Sequence, residues 1–99
     1  MELKDIEVWR RRIDEIDRQL VELLNERSLC AMEIGHIKQE AKLPLYQPER
    51  EKEVLAKAES NNRGPLPDKA IRRLFERILD EARSAERYAM KSDESPKQE

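Results

Sequence analysis

Glycine is scarce in this sequence, with two copies in 99 residues, and no stretch of strand length alternates apolar with polar side chains. A β-rich fold leaves both marks, so their absence points to helices punctuated by proline. Cys30 is the single cysteine and His36 the single histidine, which excludes an internal disulfide and a paired-cysteine metal site. No metal or cofactor is expected. No apolar run reaches the length of a membrane span, and the opening "MELKDIEVWRRR" lacks the apolar core of a secretion signal. The chain therefore reads as soluble and cytoplasmic. Its 20 basic and 22 acidic residues leave a net charge of -2, without the basic excess that a general nucleic-acid or membrane binder needs.

What is present is helical periodicity. A first helix is expected from Lys4 to Ala41, with a seam of Trp9, Ile13, Ile16, Leu20, Leu23, Arg27, Cys30, Ile34, Ile37 and Ala41 spaced alternately four and three apart. The segment "KLPLYQPERE" turns the chain, and Pro48 suits the first position of a second helix, expected to run to Asn61. "NNRGPLPD" ends that helix, with Asn and Gly favouring a left-handed cap. A third helix is expected from Asp68 to Met90, its apolar face formed by Ile71, Leu74, Phe75, Ile78, Leu79, Ala82 and Ala85. The single domain then spans residues 1–91, and residues 92–99 read as a disordered tail. A first helix of this span is about 57 Å long, more than two shorter helices of the same chain can cover. A second copy of the chain is expected to cover the rest, giving an all-α, intertwined homodimer with three helices per chain.

Arg27 breaks the apolar seam. Ala31, Gly35 and Lys38 follow it on nearly the same helix face, so two cations bracket two very small side chains. Glycine in a helix interior costs about 1 kcal/mol relative to alanine, which close helix packing or room for a ligand could offset. Arg27 and Lys38 lie about 16 Å apart along the axis and could clasp a small anion between them. The alternative is a coiled coil in which Arg27 snorkels or pairs with a glutamate. Arg50 and Glu51 fall in the first turn of the second helix, where the helix dipole favours Glu51 but not Arg50. Glu86 flanks the apolar stripe of the third helix, where pairing with Arg83 or Arg87 is the simplest reading. Arg10, in "WRRRID", reads by itself as part of a solvated face.

Arg10 followed by "RRIDEIDRQLVELLNERSLCAMEIGHIK", then "PLYQPERE" and "LFERILDEARSAE", resembles the all-helical chorismate mutases of the AroQ class. The resemblance runs from Val8 to Glu86, and "NNRGPLPDKAIRRLFERI" is most similar to the mutase domain that heads bifunctional mutase-prephenate dehydratases. No dehydratase activity is implied for this domain. The resemblance implies an intertwined dimer with two identical sites that converts chorismate to prephenate. Arg27, with Arg10 donated by the partner chain, matches the arginines that bind the two carboxylates of chorismate. Lys38 matches the lysine on a carboxylate and the ether oxygen, Glu51 the glutamate on the ring hydroxyl, and Arg50 the arginine that supports the site beside it. Glu86 matches a glutamine or glutamate directed at the ether oxygen. Gln47 stands where some members carry an aspartate near the ring hydroxyl, and Ala82 where some carry a serine that touches a substrate carboxylate. Arg10 precedes Arg27 by about 25 Å of helix, so both cannot grip one small dianion from the same chain.

The implied reaction is a unimolecular Claisen rearrangement in phenylalanine and tyrosine biosynthesis, driven by positioning and by stabilisation of charge on the ether oxygen, with Lys38 and Glu86 as the catalytic groups. An ionised Glu86 would repel that charge, so it is expected to act protonated. Turnover should then fall as pH rises through its titration, with Glu86→Gln flattening the profile. Three alternatives stay open. An isochorismate-pyruvate lyase shares the fold and a similar cation set, although its motif lacks the glutamate present here as Glu51. A non-catalytic dimerisation module would be stabilised by Arg27→Leu. A weak or regulatory mutase would associate with another shikimate-pathway enzyme.

Overall fold

The computed structural model describes residues 3–94 and is all-α: α1 Leu3–Ala41, α2 Pro48–Asn61 and α3 Asp68–Glu94, with no strand among the described residues. α1 ends where Lys42 enters the left-handed region at φ 57°. The Leu43 N–H donates to Lys38 O at 2.9 Å and the Lys42 N–H to Gln39 O at 3.3 Å, a Schellman closure with lysine where glycine is usual. α2 begins with Pro48 in its first turn, and Gln47 O accepts from the backbone N–H groups of Arg50 and Glu51. That turn places Glu51 one helical turn from the connecting loop.

Two expectations are corrected. The residue after α2, Asn62, is extended at φ -72° and ψ 124°, and the left-handed residue is Gly64, deeper in the loop. Asn62 closes this loop with its side chain: its amide donates to Leu66 O and to Asp68 Oδ1, each at 2.8 Å, and its Oδ1 accepts from Gly64 N–H at 3.0 Å. α3 also continues to Glu94, past the expected end at Met90, with Ala89 fully buried near its end. Of the tail expected at 92–99, residues 95–99 lie outside the described residues.

α3 is the element on which the others rest. It packs against both α1 and α2, which do not pack on each other. Glu51 pairs with Arg83 and Glu59 with Arg72, so α2 runs antiparallel to α3. The core is small: Val54 and Leu55 of α2 against Leu79 and Phe75 of α3. Where α1 meets α3, a Cβ built on Gly35 would lie 2.7 Å from the Glu86 carbonyl oxygen and 2.9 Å from Glu86 Cα. Close helix packing therefore explains Gly35. Among the described residues the first half of α1 has no such neighbour, and Trp9, Ile13, Leu20 and Leu23 are exposed by 64%, 53%, 51% and 61%. The chain measures 59 × 37 × 14 Å, little more than one helix thick, and its radius of gyration is 17.9 Å. A compact chain of this length would have about 13 Å. No helix of the described residues is long and apolar enough to cross a membrane.

Candidate active site

A cavity of about 520 Å³ opens where the second half of α1, the start of α2 and the second half of α3 converge. Seven of the eight residues expected at the site line it: Arg27, Lys38, Gln47, Arg50, Glu51, Ala82 and Glu86. Cys30, Ile34, Leu45, Val54 and Leu79 supply its less polar walls. Arg27, Lys38, Arg50 and Arg83 face only Glu51 and Glu86 there, so the lining carries two positive charges in excess. Such a cavity attracts a small dianion, and its partly apolar walls strengthen the attraction.

Among the described residues Lys38 is the one charged side chain that is buried, at 7% exposure. Its Nζ donates to Leu45 O at 2.8 Å and to Glu86 Oε1 at 2.6 Å, which uses two of its three N–H donors. The first bond ties the α1–α2 loop down, and the second corrects the expected partner of Glu86. Glu86 pairs with Lys38 across the α1–α3 contact, not with Arg83 or Arg87 on its own helix. Gly35 makes that pairing possible, since any larger residue one turn before Lys38 would push the Glu86 backbone away.

Arg27 is half-buried and lines the cavity, yet it makes no hydrogen bond or ion pair with any described residue. Within the chain it is not the glutamate-paired seam residue of a coiled coil. Arg27 and Ala82 also line a smaller adjoining cavity of about 290 Å³ between α1 and α3. Arg10 is not brought to the site: it is exposed and pairs with Glu7 at 2.9 Å.

Around Glu51 the pairing crosses from α2 to α3. Arg50 lines the cavity, but its guanidinium bonds to Glu53 one turn further along α2. That hydrogen bond, helped by the charges of Lys57 and Arg50, holds the Glu53 carboxyl below its ordinary range. Arg83 is the residue that meets Glu51, its Nη1 donating to Glu51 Oε2 at 2.5 Å while Nη2 bonds to Asp80. The Arg83 guanidinium also lies 5.8 Å from the centre of the Tyr46 ring. Its hydrogen bond to Glu51 outweighs burial and raises its pKa, keeping it charged. From the sequence Arg83 is expected only as a partner for Glu86. Its one available signal was a position three residues before Glu86, which puts both on one helix face. Among the described residues no group of three or more His, Cys, Asp and Glu side chains is placed to hold a metal ion.

Fold and site together define a class: an all-α protein whose helices enclose a cation-rich pocket for a small anion. The chain belongs to the chorismate mutase type II family, whose model matches residues 9–87. It is similar to the bifunctional chorismate mutase/prephenate dehydratase of Neisseria gonorrhoeae, 42% identical over 78 residues that cover 79% of this chain and 21% of that protein. The chain spans about a fifth to a quarter of the length of the bifunctional relatives it matches. Among solved structures, chorismate mutase (form II) of Thermus thermophilus superposes with a TM-score of 0.82 at 38% identity, over 84% of this chain and 94% of that one. The chorismate mutase of Helicobacter pylori, solved in complex with prephenate, superposes with a TM-score of 0.81 at 30% identity, over 89% and 96% of the two chains.

Proposed function

We propose that this chain is a chorismate mutase, converting chorismate to prephenate in phenylalanine and tyrosine biosynthesis, and that it works in the cytoplasm as a homodimer. The observation that carries the reading is Arg27, an unpaired guanidinium on the wall of a cavity with excess positive charge. A half-buried cation without a partner is unfavourable until an anion arrives, and chorismate brings two carboxylates.

The rearrangement is unimolecular and needs no nucleophile. Arg27 and a second arginine hold the enolpyruvyl arm over the ring in its compact reactive conformer, so that the orientational part of the barrier is met on binding. As the carbon-oxygen bond breaks, negative charge gathers on the ether oxygen. Lys38, with one N–H still unused, donates to that oxygen more strongly in the transition state than in the substrate. Glu86 accepts from the same ammonium at 2.6 Å and so holds Lys38 in place beside that oxygen. Glu51 accepts from the ring hydroxyl, with Gln47 beside it in the cavity wall and Arg50 supporting the start of α2. Ala82 leaves room where some relatives place a serine, so that side of the site makes one polar contact fewer.

The homodimer follows from the exposed seam. A contiguous apolar face along the first half of α1 is the kind of surface that a second helix covers. The partner copy then brings its Arg10 to the neighbourhood of Arg27, supplying the second carboxylate ligand. The experiment is complementation: Arg10→Ala and Arg27→Ala are each inactive alone, and after mixing and refolding, heterodimers carry one intact site in two. Random pairing then returns about a quarter of the wild-type activity if sites are shared between subunits. No recovery from the mixture would mean that Arg10 acts in its own chain, and an active Arg10→Ala homodimer would mean that it does not act at all.

A further inference from the structure

Four cationic side chains line the cavity, and their partners divide them by task. Arg27 has none and is available to substrate. Lys38 is shared between a backbone carbonyl and Glu86. Arg50 is taken up by Glu53. Arg83 is held on three sides, by Glu51 Oε2, by Asp80 and by the face of Tyr46, and both of its terminal nitrogens are engaged.

We propose that Arg83 is a positioning residue of the active site, one that fixes the Glu51 carboxylate by taking Oε2 and so presents Oε1 to the ring hydroxyl of chorismate. This rests on the mutase reading and deepens it. Glu51 sits in the first turn of α2, and α2 reaches the rest of the molecule through α3. Without a tether, the carboxylate of a glutamate samples several rotamers, and each placement away from the hydroxyl weakens that contact. Arg83 lies opposite on α3, with 29% of its side chain exposed against 21% for Glu51, so the bond is partly shielded from water. Asp80 and Tyr46 in turn hold the guanidinium, which links α3, the α1–α2 loop and α2 at one edge of the cavity. Arg50, the neighbour of Glu51 in sequence, is turned to Glu53 and does not meet Glu51.

A clamp that merely fastened α2 to α3 would also lose function when broken, so the test separates the two roles by chemistry at one atom. Arg83→Met keeps the aliphatic stem and removes the donors. Two quantities are read: kcat/KM for chorismate, and the inhibition constant of the chorismate analogue that lacks the ring hydroxyl. If Arg83 acts through Glu51 on the hydroxyl, kcat/KM falls about ten- to a hundredfold. The inhibition constant of the analogue then stays within about twofold, as expected for a ligand that never used the contact. Arg83→Lys, which keeps one donor for Oε2, should recover part of the loss and provides the same comparison if Arg83→Met does not fold. An equal loss toward both ligands overturns the proposal in favour of a structural clamp or a direct carboxylate contact, and an undiminished kcat/KM overturns it outright. If the wild type itself does not consume chorismate, the mutase reading fails, and this proposal with it. That result is distinct because it appears before any variant is made.

Discussion

Gly35→Ala should be more damaging than one methyl group suggests. The added Cβ would sit 2.7 Å from the Glu86 carbonyl oxygen and 2.9 Å from its Cα, whereas ordinary contact begins at 3.4 Å, so α3 must retreat by about 0.7 Å. Both atoms belong to helix backbone, and no side-chain rotation can relieve the clash. Alanine regains about 1 kcal/mol of helix propensity. Overpacking of this kind costs about 1–3 kcal/mol, so the balance is a destabilisation of up to about 2 kcal/mol. For a chain of this size that is a fall in Tm of up to about 16 °C. Activity should suffer more, because the displaced backbone carries Glu86, whose carboxylate meets Lys38 at 2.6 Å. A shift approaching 1 Å in a catalytic group costs up to about a hundredfold, and we expect a loss of kcat/KM of at least tenfold. Thermal unfolding and chorismate turnover, measured on the same preparation, provide the check. A variant with raised Tm and wild-type turnover would refute the claim that helix proximity at Gly35 builds the Lys38–Glu86 pair.

Other consequences can be measured independently. Lys42→Gly should stabilise the chain by up to about 1 kcal/mol, because glycine removes the left-handed penalty at φ 57° and returns part of the gain as chain entropy; a lower denaturation midpoint would contradict this. Glu53, whose carboxyl is held below its ordinary range by Arg50, contributes stability that is complete above the ordinary carboxylate pKa and lost as pH falls through the lowered one. In Arg50→Ala the titration of the Glu53 carboxyl resonance should move up toward the ordinary range, with the charge of Lys57 still holding it below, and a midpoint that does not move would rule out Arg50 as the main cause.

Much of this architecture is legible in the residues, for local reasons. Proline at positions 44, 48, 65 and 67 marks the interruptions, and the four-three spacing of the seam sets the extent of α1, so the helices lie close to where they are expected. Arg27 stands out because it violates a pattern, and Gly35 because glycine is unfavourable in a helix. Neither position reveals its reason until α3 is in place: Gly35 admits the Glu86 backbone, and Arg27 faces a cavity. The contacts that fail to show are those between residues far apart in the chain. Glu86 finds Lys38 across 48 positions, although Arg83 and Arg87 lie nearer in sequence, and Glu51 finds Arg83 across 32. α2 ends at Asn61 as expected, but the left-handed residue lies deeper in the loop, at Gly64, because the Asn62 side chain satisfies the loop itself and removes the need for one at the helix end.

The most direct test of the account is chorismate consumption by the purified protein, with prephenate identified as the product and Arg27→Ala assayed beside the wild type. The account predicts turnover without any added cofactor by the wild type, and a loss of about a hundredfold or more in a variant that remains folded, as for removal of a charge that orients the substrate. Equal turnover by the two proteins would contradict it, because the unpaired arginine in the cavity would then not be a substrate ligand.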